Sequence, residues 1–575
     1  MKELYLGNQA IARGAWEAGC RVVSSYPGTP STEITEYAAT YPEIYAEWAP
    51  NEKVALEVAF GASLGGARAM VCMKHVGLNV AADPLFTAAY TGVNGGLVIV
   101  VADDPGMHSS QNEQDSRYYA RSAHLPLLEP SNSAECLEYV RRAFELSEAY
   151  DTPVLLRTTT RVAHSRSLVE LSPRQEQPLK AYQKDIAKNV MMPAMAKGRH
   201  VAVEAREKRL AAQAQELGLH RVRFGDPRVG VITSGIASCY VDEALPEASV
   251  LKLGLINPLP MKAIHEFARR VEKLYVVEEL EPVIEEQLKA AGLSVKGKEL
   301  FSVQGEYTAQ AIAQAIGGQK PADHPPVASV PGRPPVMCPG CPHRGVFYTL
   351  KSMGLTVTGD IGCYTLGAAA PLAAIDACLC MGASIGMAQG MELARGRDQA
   401  RRTVAVIGDS TFIHSGMTGL AEMSYNGGHG TVLILDNSTT GMTGHQNNPT
   451  NGKNIHGDPA PRIDLDTLCR VLGVPDVATV DPFDLKGLKA AVKHALDFDG
   501  VSVIIARRPC ALLSKAPVKP IRLDAEKCRK CRACMRIGCP ALVDKGDHIA
   551  VDTTLCTGCG LCGELCAFGA IEKGE

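Results

Sequence analysis

Eight cysteines fall between Cys528 and Cys566, as Cys528-x2-Cys531-x2-Cys534-x4-Cys539 and Cys556-x2-Cys559-x2-Cys562-x3-Cys566. A secreted disulfide protein of this length would scatter its nineteen cysteines. Clustered CxxC strings instead mark thiolate ligands in a reducing compartment, so a cytoplasmic location is expected. Zinc sites also use CxxC pairs, but eight cysteines in a double string favour iron–sulfur. The tail after about residue 520 is therefore read as a small cysteine module.

The rest of the 575 residues is too long for one core, and three to five domains are expected. Apolar residues make up 46%, enough for a large interior. A net charge of −3 argues against a nucleic-acid groove or an anionic-membrane footprint. Aromatics at 5% are too few for a base-stacking platform. No signal-like apolar core follows Met1, and no uncharged apolar run is long enough to span a bilayer.

From Gly7 to about Arg161 short apolar runs alternate with helical patterns. RVVSSYPGTP reads as strand then turn, and GGLVIVVAD and TPVLLRT as buried strands. Such alternation predicts a parallel sheet covered by helices. Residues 166–225 are charged, with KAYQKDIAKNV and AVEAREKRLAAQAQEL reading as a helical connector. A second α/β unit, 226–320, carries the strands VGVITSG, VLKLGLINPLP and KLYVVEE. Gly317–Pro335 is Pro/Gly-rich and reads as a linker. A third block, 336–516, carries TVAVIGD, TVLILDN and VSVIIARR. The fold class expected is α/β and multidomain.

In that third block Asp409 ends one strand and Asn437 the next. Ligands of open parallel sheets bind beyond the carboxyl ends of the strands. Two oxygen donors there suit a Mg²⁺ that also binds phosphate. GDS followed by a distant Asn resembles the thiamine diphosphate motif. The resemblance implies Asp409, Asn437 and the Thr439 carbonyl as metal ligands, with Gly408 letting backbone approach the diphosphate. Ser410 stands where many relatives have a second glycine. CMGASIGMAQG resembles the small-residue helix start lining that cofactor, with Gly382 close to diphosphate and Met381 supporting the bent coenzyme. NEKVALEVAFGASLGGARAM resembles the pyrimidine-binding segment of thiamine enzymes and puts Glu52 on the catalytic glutamate beside the aminopyrimidine. A low dielectric would strengthen its effect. Taken alone, Glu52 also fits the acid favoured in a first helical turn.

The order of the blocks, with YPGTPSTE, MKHVGLN, CPGCPHR and GDIGCYTLG, resembles the 2-oxoacid:ferredoxin oxidoreductase family, in particular alpha subunits acting on indolepyruvate. The resemblance spans nearly the whole chain. It implies a pyrimidine-binding domain (1–165), a transketolase-C-terminal-like domain (226–320), a diphosphate-binding domain (336–516) and a two-cluster ferredoxin-like domain (520–575). Its tail would carry two [4Fe–4S] clusters, one on Cys528, Cys531, Cys534 and Cys566, the other on Cys556, Cys559, Cys562 and Cys539. The four-residue step before Cys539 and the missing proline after Cys566 depart from the ferredoxin pattern. A third [4Fe–4S] near thiamine is implied on Cys338, Cys341, Cys363 and Cys510; the alternative is a structural or zinc pair with two core thiols. Cys20, Cys72, Cys136, Cys239, Cys378, Cys380 and Cys469 read as buried small hydrophobes.

The implied reaction converts an aryl pyruvate and coenzyme A to an aryl-acetyl-CoA and CO₂, reducing ferredoxin. His75, His343 and Arg344 are expected near substrate or diphosphate, a structural hydrogen bond being the alternative for each. The family's remaining domain is expected on a smaller beta subunit, in a dimer of heterodimers. Three rivals stay open: another 2-oxoacid such as pyruvate, a non-redox thiamine decarboxylase, and an electron-transfer scaffold without thiamine.

Overall fold

A computed structural model describes residues 2–319, 331–332, 334–516 and 518–574. Most of the expected linker Gly317–Pro335 lies outside the described residues. The chain divides into two compact units, Met1–Val327 and Ala328–Glu575. Among the described residues no helix is long and apolar enough to cross a membrane.

The first unit holds a seven-stranded sheet in the order Leu255–Asn257, Leu127–Leu128, Val154–Thr159, Leu97–Asp103, Ala69–Lys74, Val22–Ser25 and Tyr45–Trp48. All neighbours are parallel except the outermost Leu255–Asn257. Leu97–Asp103 is buried along its whole length, as its unbroken apolar run requires. A four-stranded sheet follows, ordered Leu274–Val277, Asp226–Ser234, Ala248–Leu253 and His220–Arg223, the last antiparallel.

These sheets share one interior, while the smaller one has a second core around Val231, Val250 and Ile312 on its other face. Val71, Ile99 and Leu155 share one core cluster with Ile232, Leu251 and Phe267. The run VLKLGLINPLP, expected as one strand, is two. Ala248–Leu253 stays in the smaller sheet, and Leu255–Asn257 crosses to the larger one. Gly254 is the crossing point. Its N–H donates to the Leu219 carbonyl at 2.7 Å and its carbonyl accepts from Glu129 at 2.8 Å. A Cβ there would overlap the Tyr139 hydroxyl.

Residues 166–225 also differ from a helical connector. Arg166–Glu170 pairs antiparallel with Lys2–Leu6, and His220–Arg223 with Ala248–Leu253. Only Pro193–Gln213 is a long helix. KAYQKDIAKNV is extended apart from the single turn Ile186–Asn189. With the preceding residues 171–179, it forms a strap fastened by its backbone: Gln175 N–H donates to the Glu17 carbonyl and Lys180 N–H to that of Gly66. Arg174 adds bonds to the carbonyls of Trp16 and Cys20. These pairings replace the intrahelical bonds that the charge pattern alone suggested.

The second unit is built on a six-stranded, all-parallel sheet. Its order is Ala377–Cys378, Thr356–Gly359, Thr403–Gly408, Thr431–Asp436, Ser502–Arg507 and Asp476–Val480. Side chains alternate across it. Val404, Val406, Leu433 and Leu435 face one core; Ala405, Ile407, Val432 and Ile434 face the other. The tail folds as two short antiparallel pairs, Arg522–Leu523 with Ile571–Glu572 and Leu542–Asp544 with Ile549–Val551. Its small core joins Ile537, Leu542, Cys556, Leu561 and Cys562, with Tyr348 and Phe483 of the parallel-sheet body packed against it.

Candidate functional site

Strands Thr403–Gly408 and Thr431–Asp436 are adjacent and parallel, with Gly408 opposite Leu435. Their carboxyl ends therefore deliver Asp409 and Asn437 side by side. Asp409 is buried, and its carboxylate accepts from the Ser410 N–H at 2.8 Å, the Ser438 N–H at 3.1 Å and the Thr450 hydroxyl at 3.2 Å. Burial and the neighbouring Asp436 carboxyl push its pKa up to about 7. Asp436 is itself buried and paired with Arg507 Nε at 2.7 Å. Asn437 Oδ1 accepts from the Thr439 N–H at 3.3 Å, across a turn in which Ser438 is left-handed. Two buried carboxyls with one cation between them leave negative charge that a divalent ion would neutralise. Carboxylate, amide and carbonyl oxygens are the donors Mg²⁺ prefers, so this set fits the ion. Ser410 lies beside it, accepting from the Thr440 hydroxyl at 3.0 Å.

Gly408 also meets a packing need. A Cβ there would meet the Tyr364 ring at 2.6 Å, so the glycine makes room for an aromatic side chain. His343 stands edge-on to the same ring, 5.9 Å between centroids, and burial lowers its pKa to about 4. His343 is thus a neutral packing partner of Tyr364. Gly382, at φ +87°, leads into helix Ala383–Arg395, and Met381 before it is half-buried.

Asp360 was not singled out by sequence reasoning. It ends Thr356–Gly359 as Asp409 ends its own strand, a second Gly-Asp in GDIGC. The two differ in what their oxygens meet. Asp360 accepts from the Ile361, Gly382 and Ser384 amides at 2.8, 2.9 and 3.2 Å, anchoring the start of helix Ala383–Arg395. Its carboxylate thus fixes a helix start, whereas that of Asp409 ties the Ser438 and Thr450 loops to its own strand end.

In the first unit Glu52 opens helix Glu52–Leu64, whose cap Asn51 accepts from the Val54 N–H at 2.9 Å. Glu52 is buried against Gly77, where a Cβ would lie 2.6 Å from a carboxylate oxygen. Lys74 and His75 precede that glycine at the end of Ala69–Lys74. Burial lowers both their pKa values, against the charges of Asp104 and Glu52 on Lys74 and of Asp103 on His75. Among the described residues neither ring nitrogen of His75 has a hydrogen-bond partner. Gly28 of YPGTP packs on the Lys74 stem. A buried acid, a half-buried amine bonded to the Ser109 carbonyl and an unpartnered imidazole thus share the carboxyl edge of this sheet. Gly77, in MKHVGLN, is a further residue missed by sequence reasoning; its signal was a glycine inside a short helical run.

The cysteines fall into three groups. Cys341 and Cys363 are pushed up to about 12 and about 11, first by burial, then by other sulfurs of the set that includes Cys338 and Cys510. The Cys510 N–H donates to the Asn437 carbonyl at 2.9 Å. A Cβ on Gly441 would lie 3.4 Å from Cys363 Sγ and 3.7 Å from Asn437 Nδ2. This cysteine set therefore adjoins the Asp409–Asn437 loops. In the tail, burial and the charges of Cys531, Cys566 and Cys528 raise Cys534. Burial and Cys559, Cys539, Cys534 and Cys556 raise Cys562, to about 12. Backbone amides of Ile521 and Gly558 donate to Cys556 Sγ, and that of Ala570 to Cys566 Sγ, at 3.3–3.4 Å. Crowded, amide-solvated sulfurs suit iron–sulfur clusters. No three His, Cys, Asp or Glu groups among the described residues converge as around one ion. Of the seven cysteines expected as buried, Cys20, Cys72, Cys136 and Cys469 are; Cys239 is half-buried, while Cys378 and Cys380 are exposed at the sheet's edge strand.

Arg344 makes structural hydrogen bonds, the alternative left open for it. Its Nε donates to the Cys338 carbonyl at 3.1 Å, Nη2 to that of Met337, and Nη1 to those of Ile537 and Gly538. It thereby joins neighbouring backbone to the tail.

Two family matches place the chain in a thiamine-diphosphate-binding class of protein. Residues 360–506 match the thiamine pyrophosphate enzyme C-terminal TPP-binding domain, and 13–222 match the thiamine diphosphate-binding domain of pyruvate flavodoxin/ferredoxin oxidoreductases. The chain is 42% identical to indolepyruvate oxidoreductase subunit IorA of Methanothermobacter thermautotrophicus, over 99% of this chain and 97% of that one. It is 40% identical to the subunit of the same name from Archaeoglobus fulgidus, over 100% and 98%. The chain belongs to this indolepyruvate oxidoreductase subunit IorA family. Among solved structures, 2-oxoglutarate:ferredoxin oxidoreductase from Magnetococcus marinus aligns at TM-score 0.47 and 19% identity, over 55% of this chain and 65% of that one.

Proposed function

We propose that this chain is the thiamine-carrying subunit of a cytoplasmic enzyme that oxidatively decarboxylates aryl 2-oxoacids, indolepyruvate foremost. The products are an aryl-acetyl-CoA, CO₂ and reduced ferredoxin. Thiamine diphosphate, when bound, supplies the electron sink for loss of CO₂. Asp409, Asn437 and the Thr439 carbonyl hold Mg²⁺, with Ser410, Met381 and Gly382 beside the coenzyme. Glu52 holds a proton at the aminopyrimidine ring nitrogen, and burial strengthens that contact. Cys338, Cys341, Cys363 and Cys510 bind a [4Fe–4S] cluster. Cys539, Cys556, Cys559 and Cys562 bind a second, and Cys528, Cys531, Cys534 and Cys566 a third. A smaller beta subunit completes the enzyme. The domain roles follow the same reading, with pyrimidine recognition before residue 165, coenzyme phosphate recognition in 336–516 and electron transfer in 520–575.

One observation carries this reading: the inner cysteine set and the metal-binding loops are joined through Cys510 and Asn437. A non-redox decarboxylase has no use for that adjacency. Anaerobic purification with the partner, followed by iron, sulfide, thiamine and magnesium analysis, tests it. About twelve irons per chain are expected, and about eight would remove the inner cluster. Turnover with indolepyruvate above that with phenylpyruvate and pyruvate is expected; a preference for pyruvate would overturn the substrate.

A further inference from the structure

The four-residue step before Cys539, one longer than the ferredoxin pattern, has a structural counterpart. Ala533–Ile537 forms a 3₁₀ helix, ended by Gly538 in the left-handed region at φ +68°. A helix end leaves its last carbonyls without intrahelical partners. Here the Ile537 and Gly538 carbonyls both accept from Nη1 of Arg344, 194 residues from Gly538 in sequence. The same guanidinium holds the Met337 and Cys338 carbonyls at the start of the CPGC turn. Arg344 is only 3% exposed. Around it lie the sulfurs of Cys539, Cys341, Cys338 and Cys559, which belong to two different cysteine sets. A second contact reinforces the junction. Gly340, within CPGC, abuts Thr557, which lies between Cys556 and Cys559. Cys510 and Cys559 also line one cavity of about 470 Å³.

We propose that Arg344 and the lengthened Ile537–Gly538 turn form a latch that fixes the Cys539 cluster site against the CPGC cluster site. Arg344 is thus a positioning residue for electron passage between them. The proposal rests on the cluster assignment above. An arginine is suited to this place because its planar fork keeps its charge when buried and serves several carbonyls at once. Lysine keeps the charge but presents a single point donor. One cation between two sulfur sets also makes the charge state of each felt by the other. The extra residue before Cys539 supplies the carbonyls that the guanidinium grips.

The test uses the full chain with its partner, loaded with iron and sulfide, and the variants Arg344→Gln, Arg344→Lys and Gly538→Ala. A Cβ at Gly538 would lie 2.9 Å from Pro371 and 3.3 Å from Arg344 Nη1, so this change disturbs the latch from the tail side. Arg532→Gln, which removes an exposed pair with Asp544, is the control. Amide hydrogen exchange across residues 537–539 is expected to quicken by about tenfold or more in all three variants, with or without iron. In reduced, loaded protein the magnetic coupling between clusters is expected to weaken while iron per chain stays at the wild-type value. Wild-type exchange and coupling in Arg344→Lys and Gly538→Ala would overturn the latch. Should Arg344→Gln fail to fold, Gly538→Ala decides. A wild-type protein without iron–sulfur would defeat the cluster assignment, while exchange in that same iron-free protein would still judge the latch.

Discussion

The Cys510 N–H donates to the Asn437 carbonyl at 2.9 Å, so an inner cysteine hangs one hydrogen bond from a proposed metal ligand. Both residues follow neighbouring parallel strands, Ser502–Arg507 and Thr431–Asp436, and the sheet sets their separation. Under the proposed assignment, coenzyme and first electron acceptor would be held by one rigid frame.

Asp409→Asn removes one of two neighbouring buried carboxyls. Thiamine diphosphate binding in the presence of Mg²⁺ is expected to weaken by about a hundredfold or more, read by titration calorimetry. The coenzyme-free protein is expected to gain about 1 kcal/mol, because Asp436 keeps Arg507 and loses a like-charged neighbour. Loss of stability together with unchanged binding would refute the assignment.

Gly77→Ala places a methyl group 2.6 Å from a Glu52 carboxylate oxygen. Displacing the carboxylate is expected to lower kcat at least tenfold, with a stability cost of about 1–3 kcal/mol. Thermal unfolding and single-turnover kinetics separate the two effects.

Arg117 is buried, bonded to Asp115 and Glu278 at 2.6 Å each, and donates to the Glu279 and Glu281 carbonyls. Arg117→Met removes the main cation from two buried carboxylates, which keep Arg157, 4.0 Å from Asp115, and backbone amides, and is expected to cost about 3 kcal/mol. Hydrogen exchange across the first unit measures it; a change below about 1 kcal/mol would mean that water reaches the site.

Burial raises the Glu279 pKa to about 7, from 4.5. The folded state then holds a proton that the unfolded chain releases. Stability from this group is full below about 4.5, falls as pH rises to about 7 and is level above. The difference in unfolding free energy between wild type and Glu279→Gln is expected to follow that course over those pH values. An unchanged difference would place the carboxyl in water.

Much of this was legible because each central strand is a short apolar run between helical segments. TVAVIGD and TVLILDN gave away both strands and what stands at their ends. Gly254 was not legible, since the apolar run continues through it and only the Tyr139 contact shows that the chain changes sheets. The strap after Glu170 was misread because its charges fit a solvated helix, and its bonds to Glu17 and Gly66 are distant in sequence. For Arg344 the structural alternative could not be preferred from sequence, because two of its acceptors lie in the distant tail. Asp360 and Asp409 look alike in sequence, and only the Gly382 and Ser384 amides distinguish them.

The crossing at Gly254 bears on how the chain is made. A nascent polypeptide that has cleared the ribosome only to residue 225 lacks the Leu255–Asn257 edge and the Leu251 and Phe267 side of the shared interior. It would present an unfinished apolar face for as long as translation of the next segment takes, a natural target for chaperones. Fragments cut between these sheets should therefore aggregate.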